Sequence, residues 1–134
     1  MGGINLLALL GRLTTWKVTQ FAKDSDGMQF LEDDREPADI TEGANVVSSQ
    51  ITTPSWMTEK HPYHAVLLDL DVPAHLVPSS THGHSHLYID VSVPEPTYFK
   101  LLDALADCGV IERGYATASK NKGGTFLRMP WVKK

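Results

Sequence analysis

Residues 64–109 read HAVLLDLDVPAHLVPSSTHGHSHLYIDVSVPEPTYFKLLDALADCG, and this stretch decides the fold. Its opening, His64 to Val72, is a nearly continuous apolar run of strand length. A period of two puts Leu67, Asp69 and Asp71 on one face and Leu68 and Leu70 on the other. A loop from Pro73 to Ser85 follows, with two prolines and the run Ser79, Ser80, Thr81, His82, Gly83, His84. The chain re-enters strand at His86 to Val93, where His86, Tyr88, Asp90 and Ser92 alternate with Leu87, Ile89, Val91 and Val93. The apolar set suits a core, and the polar set carries chemistry. Pro94-Glu95-Pro96 ends that strand. Tyr98, Leu101, Leu102 and Leu105 then recur at helical spacing up to Cys108, and Gly109 stands where a C-terminal cap belongs, which predicts a helix over about 97–108.

On the N-terminal side, Leu6 to Leu13 reads as one or two helical turns and Thr14 to Ala22 as a strand. Asp24-Ser25-Asp26-Gly27 supplies hairpin turn chemistry before Met28 to Leu31. Glu32 to Glu42 is dense in acids and holds a proline, a composition for a solvated loop, and Asn45 to Thr52 reads as a strand. On the C-terminal side, Val110 to Ser119 and Thr125 to Met129 read as strands joined by a basic hairpin loop, Lys120 to Gly124. The predicted architecture is α+β, with an antiparallel or mixed sheet and the 97–108 helix packed on one face, an order that admits an RRM or ferredoxin-like core. At 134 residues the expectation is a single compact domain, 1–134, ending in a basic hairpin and tail at 113–134.

Charge is segregated along the chain. All 16 acids lie at or before Glu112, alongside six of the 12 bases, and the other six (Arg113, Lys120, Lys122, Arg128, Lys133, Lys134) follow with no acid among them. A local basic end attracts phosphate even when the net charge is -4. The plain alternative is a solubilising tail. The single cysteine, Cys108, excludes an intrachain disulfide framework, and the apolar run from Ile4 to Leu10 is too short to span a bilayer. The expectation is a soluble cytoplasmic protein with no membrane partner.

Three groups of residues carry candidate chemistry. Asp69 and Asp71, on one face of a strand, repel each other unless a divalent cation or a base offsets the cost, and Mg²⁺ or Mn²⁺ between them would hold phosphates. The alternative is that Asp71 ends the strand while Asp69 bonds a neighbouring loop. His82, His84 and His86 alternate, and neutral imidazoles ligate transition metals, so His84, His86 and Asp90 form a conceivable two-histidine, one-carboxylate site. The loop's glycine and hydroxyls fit phosphate instead, and exposed loop histidines are the plain reading. His61 and His64 precede the strand as weaker ligands. Arg113 and Arg128, on predicted neighbouring strands, would clamp phosphate bidentately. Trp16, Trp56 and Trp131 are able to stack on bases but read as core or rim residues.

Leu67-Leu68-Asp69-Leu70-Asp71, then Ser80, Gly83 and His86 leading into Leu87-Tyr88-Ile89, resembles the first two motifs of the archaeo-eukaryotic primase superfamily, which includes the polymerase domains of bacterial end-joining ligases. The resemblance covers about Val66 to Ile89. It implies Asp69 and Asp71 as metal-binding catalytic acids, and Ser80 and His86 as phosphate-binding residues, with His84 the rival for the last role and His86 counted with the catalytic set. For the superfamily's third acid, Asp90 follows too closely and Asp103 and Asp107 fall on the predicted helix, leaving Glu112. A compact acidic chain with a basic end also resembles small proteins of actinobacterial phages, which would place it in a host cytoplasm. The function expected is divalent-metal-dependent nucleotide or nucleic-acid phosphate binding, extending to nucleotidyl transfer by a reduced primase-like domain. Two alternatives stand beside it: a non-enzymatic protein that binds a host or virion protein, and a His/Asp transition-metal site.

Overall fold

The structure, a computed structural model, describes residues 5–19, 21–24, 27–30, 35–52 and 63–132, with only the backbone of 21–24 and 27–30. It is α+β, and its sheets are antiparallel. Its elements fall in two compact units, one within residues 4–69 and one within residues 70–134. Among the described residues no helix is long and apolar enough to cross a membrane.

In the first unit, helix α1 (Leu6–Arg12) is capped by Asn5, whose side chain accepts from the Ala8 amide at 3.1 Å. It runs into strand β1 (Leu13–Val18), the centre of a three-stranded sheet flanked by β4 (Arg35–Pro37) and β5 (Val46–Ile51). Leu13 and Val18, at the two ends of β1, are its buried apolar side chains. Beyond Val18, Asn45 stands in for a strand partner: its amide donates to the Val18 carbonyl at 2.8 Å and accepts from the Val18 N–H at 2.9 Å. The hairpin expected around Asp24 to Gly27 forms as β2 (Phe21–Asp24) on β3 (Gly27–Phe30). Within the acidic segment, which composition assigns to a solvated loop, residues 35–37 and 40–42 carry regular structure. Arg35–Pro37 joins the sheet, with the Arg35 guanidinium 4.4 Å from the Trp16 ring centre, and Asp39 caps a 3-10 turn over Ile40–Glu42.

The strand expected over His64 to Val72 does not form. Only His64 bridges to Gln50, and the Ala65 amide donates to Ser49 before residues 65–70 continue as irregular backbone. Apolar alternation without a neighbouring ladder leaves Val66, Leu67, Leu68 and Leu70 exposed.

In the second unit, a strand that the prolines concealed, β6 (Ala74–Pro78), pairs with β7 (Ser85–Ile89), which is shorter than the expected His86 to Val93. Pro73 and Pro78 bracket β6, and proline is tolerated at strand ends and edges. Helix α2 (Glu95–Asp107) matches the expected helix, with Pro96 in its first turn. The expected strand over Val110 to Ser119 and its basic hairpin loop are instead helix α3 (Arg113–Lys122). Packing overrides local propensity here: Ala116 and Ser119, three apart, are buried where α3 lies against α2, whose buried residue is Leu102. Thr125 to Met129, also expected as a strand, has no regular structure.

Both helices stop at a left-handed glycine, and L side chains resist that backbone conformation. At Gly109 (φ 78°) the Val110 amide returns to the Leu105 carbonyl at 2.9 Å, and at Gly123 (φ 77°) the Gly124 amide returns to Ser119 at 2.9 Å. Arg113 reaches back from α3 to Asp103 at 3.2 Å and to Asp107, and Lys120 reaches Asp103 at 2.8 Å. The Lys120 hydrogen bond, then the charges of Lys120 and Arg113, hold the Asp103 carboxyl below its ordinary range.

Leu102→Ala is expected to destabilise the protein by about 2 to 5 kcal/mol in urea titrations. A carboxyl whose folded pKa is depressed stabilises above its unfolded value, near 3.8, and loses that contribution as pH falls through the folded value. Asp103→Asn should therefore lower Tm at pH 7 by a few degrees at most, because the pairs are exposed, and the difference from the parent should close at acid pH.

Candidate nucleic-acid interface

Of the residues singled out by the primase resemblance, Asp69 ends the first unit, and Asp71, Ser80 and His86 belong to the second. Asp69 and Asp71 lie exposed on irregular backbone, Asp71 at a bend. Among the described residues no group of three or more His, Cys, Asp or Glu side chains is arranged to hold a metal ion. Ser80 is exposed in the β6–β7 loop, with Gly83 at φ 80°. That loop directs hydrogen bonds into itself. The Thr81 amide donates to Ser79 Oγ at 3.1 Å and the His84 amide to the Thr81 carbonyl at 3.1 Å, which leaves those two donors unavailable to an anion.

The ladder register settles which residues share a face. His86 stands opposite Val77 and Tyr88 opposite His75, so all four share one face; Leu87 opposite Leu76 and Ile89 opposite Ala74 share the other. That apolar face, expected in a core, is solvent-exposed: Leu76 is 61% and Leu87 51% accessible. His84 and Asp90 flank the strand. Along extended backbone at roughly 3.3 Å per residue, His86 and Asp90 stand roughly 13 Å apart, too far to ligate one ion with His84. His82 and His84 are exposed and His86 is half-buried. A shallow depression of about 360 Å³ at the hairpin end touches His75, Tyr88 and Asp90 but no other candidate residue. His64 binds locally, its Nδ1 2.8 Å from Ser49 Oγ, while His61 and Trp56 lie outside the described residues. The 3-10 turn borders a second depression, of about 540 Å³, whose rim acids Asp39 and Glu42 are engaged in the reciprocal cap. The Thr41 hydroxyl, first among several hydrogen bonds, holds the Asp39 carboxyl below its ordinary value.

What the second unit does build is a base for its C-terminal segment. After Gly123 turns the chain, Thr125 is held by both helices: its Oγ1 lies 2.5 Å from the Tyr98 hydroxyl of α2 and 3.4 Å from Ser119 Oγ of α3. Tyr115 joins this hydroxyl cluster. Burial, then the neighbouring Tyr98, pushes its phenol above the ordinary value. Beyond that anchor the side chains turn outward, with Phe126 70% and Trp131 75% accessible and Leu127, Arg128 and Met129 also exposed. The Lys122 ammonium lies 6.0 Å from the Phe126 ring centre. A turn follows, in which the Val132 amide donates to the Met129 carbonyl at 2.9 Å.

The phosphate clamp expected from Arg113 and Arg128 is not assembled from paired strands. Arg113 sits at the start of α3, bound to the α2 acids, and Arg128 is on the irregular segment. Lys122 and Arg128 have no ion-pair partner among the described residues. Sequence reasoning gave no role to Phe126 and read Trp131, though able to stack on bases, as a core or rim residue, whereas it is 75% accessible. The signal available was their alternation with bases after the last acid. Glu112 precedes α3 as its N-terminal flanking residue and stands on no strand. No protein-family model, curated protein or solved structure matches the chain.

If Tyr98 and Thr125 share one hydrogen bond, Tyr98→Phe and Thr125→Val should each cost about 1 kcal/mol in urea unfolding, and the double variant little more than either. Fully additive losses would show that the hydroxyls act separately.

Proposed function

We propose that the C-terminal segment, from Lys122 through Lys134, binds the phosphate backbone of a nucleic acid, and that the protein acts as a binding module. The observation that carries this reading is the combination of unpaired cations and outward aromatic rings on a segment anchored at Thr125. Of the six bases after Glu112, Arg113 and Lys120 are matched to Asp103 and Asp107, Lys122 and Arg128 have no ion-pair partner among the described residues, and Lys133 and Lys134 add two further charges in sequence. The acids elsewhere repel nucleic acid, but that repulsion is screened beyond a Debye length of about 8 Å at physiological salt, so the local cations dominate at contact. Binding of this kind releases counterions and weakens as salt rises. The proposal does not require the metal that the primase resemblance implies.

A second reading has its own observation in favour. The exposed Leu76, Leu87 and Ile89 on a hairpin whose two strands carry no Lys, Arg, Asp or Glu suit a protein partner. A stoichiometric protein captured by the native chain and lost on Leu87→Lys, with no oligonucleotide affinity, would replace the first reading.

The test is the salt dependence of oligonucleotide binding by the full chain. With four participating cations, log K should fall against log salt with a slope of about -3 for a single strand, and Arg128→Ala should make it shallower by about 0.7. A slope near zero, or one unchanged by Arg128→Ala, would contradict the proposal.

A further inference from the structure

We infer that the C-terminal segment selects single-stranded over duplex nucleic acid, with Phe126 and Trp131 as stacking platforms for unpaired bases; this rests on the nucleic-acid reading above. Stacking needs a base face that is not already covered, and only an unpaired strand offers one to an outward ring. Phe126 and Trp131 are among the most exposed large side chains described, at 70% and 75%, and both sit on backbone that forms neither helix nor strand. The spacing is suitable. Four residues separate the rings in sequence, Arg128 among them, and Lys122 stands over Phe126, so phosphate neutralisation alternates with ring surface.

The same unit is poorly equipped for a duplex. Two helices joined by a glycine-containing turn offer one general route into a major groove, through the first turn of the second helix. Here that turn begins beside Glu112, and its Arg113 is held by Asp103 and Asp107. Three carboxylates would meet the phosphates that flank a groove, and the arginine would have to leave its partners to reach them. The tail carries no comparable acid.

The experiment compares a labelled oligothymidine of about 15 nucleotides with a duplex of equal length, using the full chain, fluorescence anisotropy and tryptophan emission. Tighter binding of the single strand is expected. Trp131→Ala and Phe126→Ala should each weaken it about tenfold while leaving the duplex affinity unchanged, and Trp131→Phe should restore most of the loss. Both rings are exposed, so circular dichroism of the variants should match the parent. Equal affinity for strand and duplex, or alanine variants that bind like the parent, would overturn the inference and leave the backbone-binding reading intact. Failure to bind either oligonucleotide would overturn both.

Discussion

The contact between α2 and α3 is the constraint on which the rest of the second unit depends. It is made from few side chains. The buried residues of the two helices are Leu102 on α2 and the small Ala116 and Ser119 on α3. Small residues let helix backbones approach closely, and close approach lets the Asp103 carboxylate meet Arg113 and Lys120 and the Tyr98 hydroxyl meet Thr125. Each helix must also end sharply for the chain to reverse. Gly109 and Gly123 allow this because φ near 77° costs an L side chain about 1 kcal/mol or more.

From that contact follows the division of labour among the basic residues. In sequence, the six cations after Glu112 form one class. In the folded unit the four described ones form two, because α2 carries acids at the positions α3 can reach. Arg113 and Lys120 tie the helices together, while Lys122 and Arg128 are exposed, Lys122 beside the Phe126 ring. The apolar hairpin β6–β7 contributes no cation to this arrangement.

Much of the fold was legible where a pattern was local. The α+β class, α1, β5, the hairpin at Asp24 to Gly27 and the helix ending before Gly109 follow from alternation, helical spacing and turn chemistry within a few residues. The errors share a cause, which is that a β-rich pattern states a preference and not a partner. His64 to Val72 has the composition of a strand, yet only its first residue finds one. Val110 to Ser119 reads as a strand and Lys120 to Gly124 as a hairpin loop, whereas Arg113–Lys122 is a helix that packs with α2 and buries Ala116 and Ser119. Pro73 and Pro78 hid β6, whose pairing depends on residues a turn away. The site was legible only as charge: the acid-free C-terminus was visible, whereas the pairing of Arg113 and Lys120 and the exposure of Phe126 and Trp131 required the tertiary contact.

The most direct test of the account is a residue-level footprint by amide chemical-shift perturbation on adding a single-stranded oligonucleotide to the full chain. The account predicts that the largest changes fall between Lys122 and Val132, with Asp69, Asp71 and the histidine-bearing hairpin little altered. Changes concentrated at Asp69, Asp71, Ser80 and His86, with the C-terminal segment unperturbed, would contradict it.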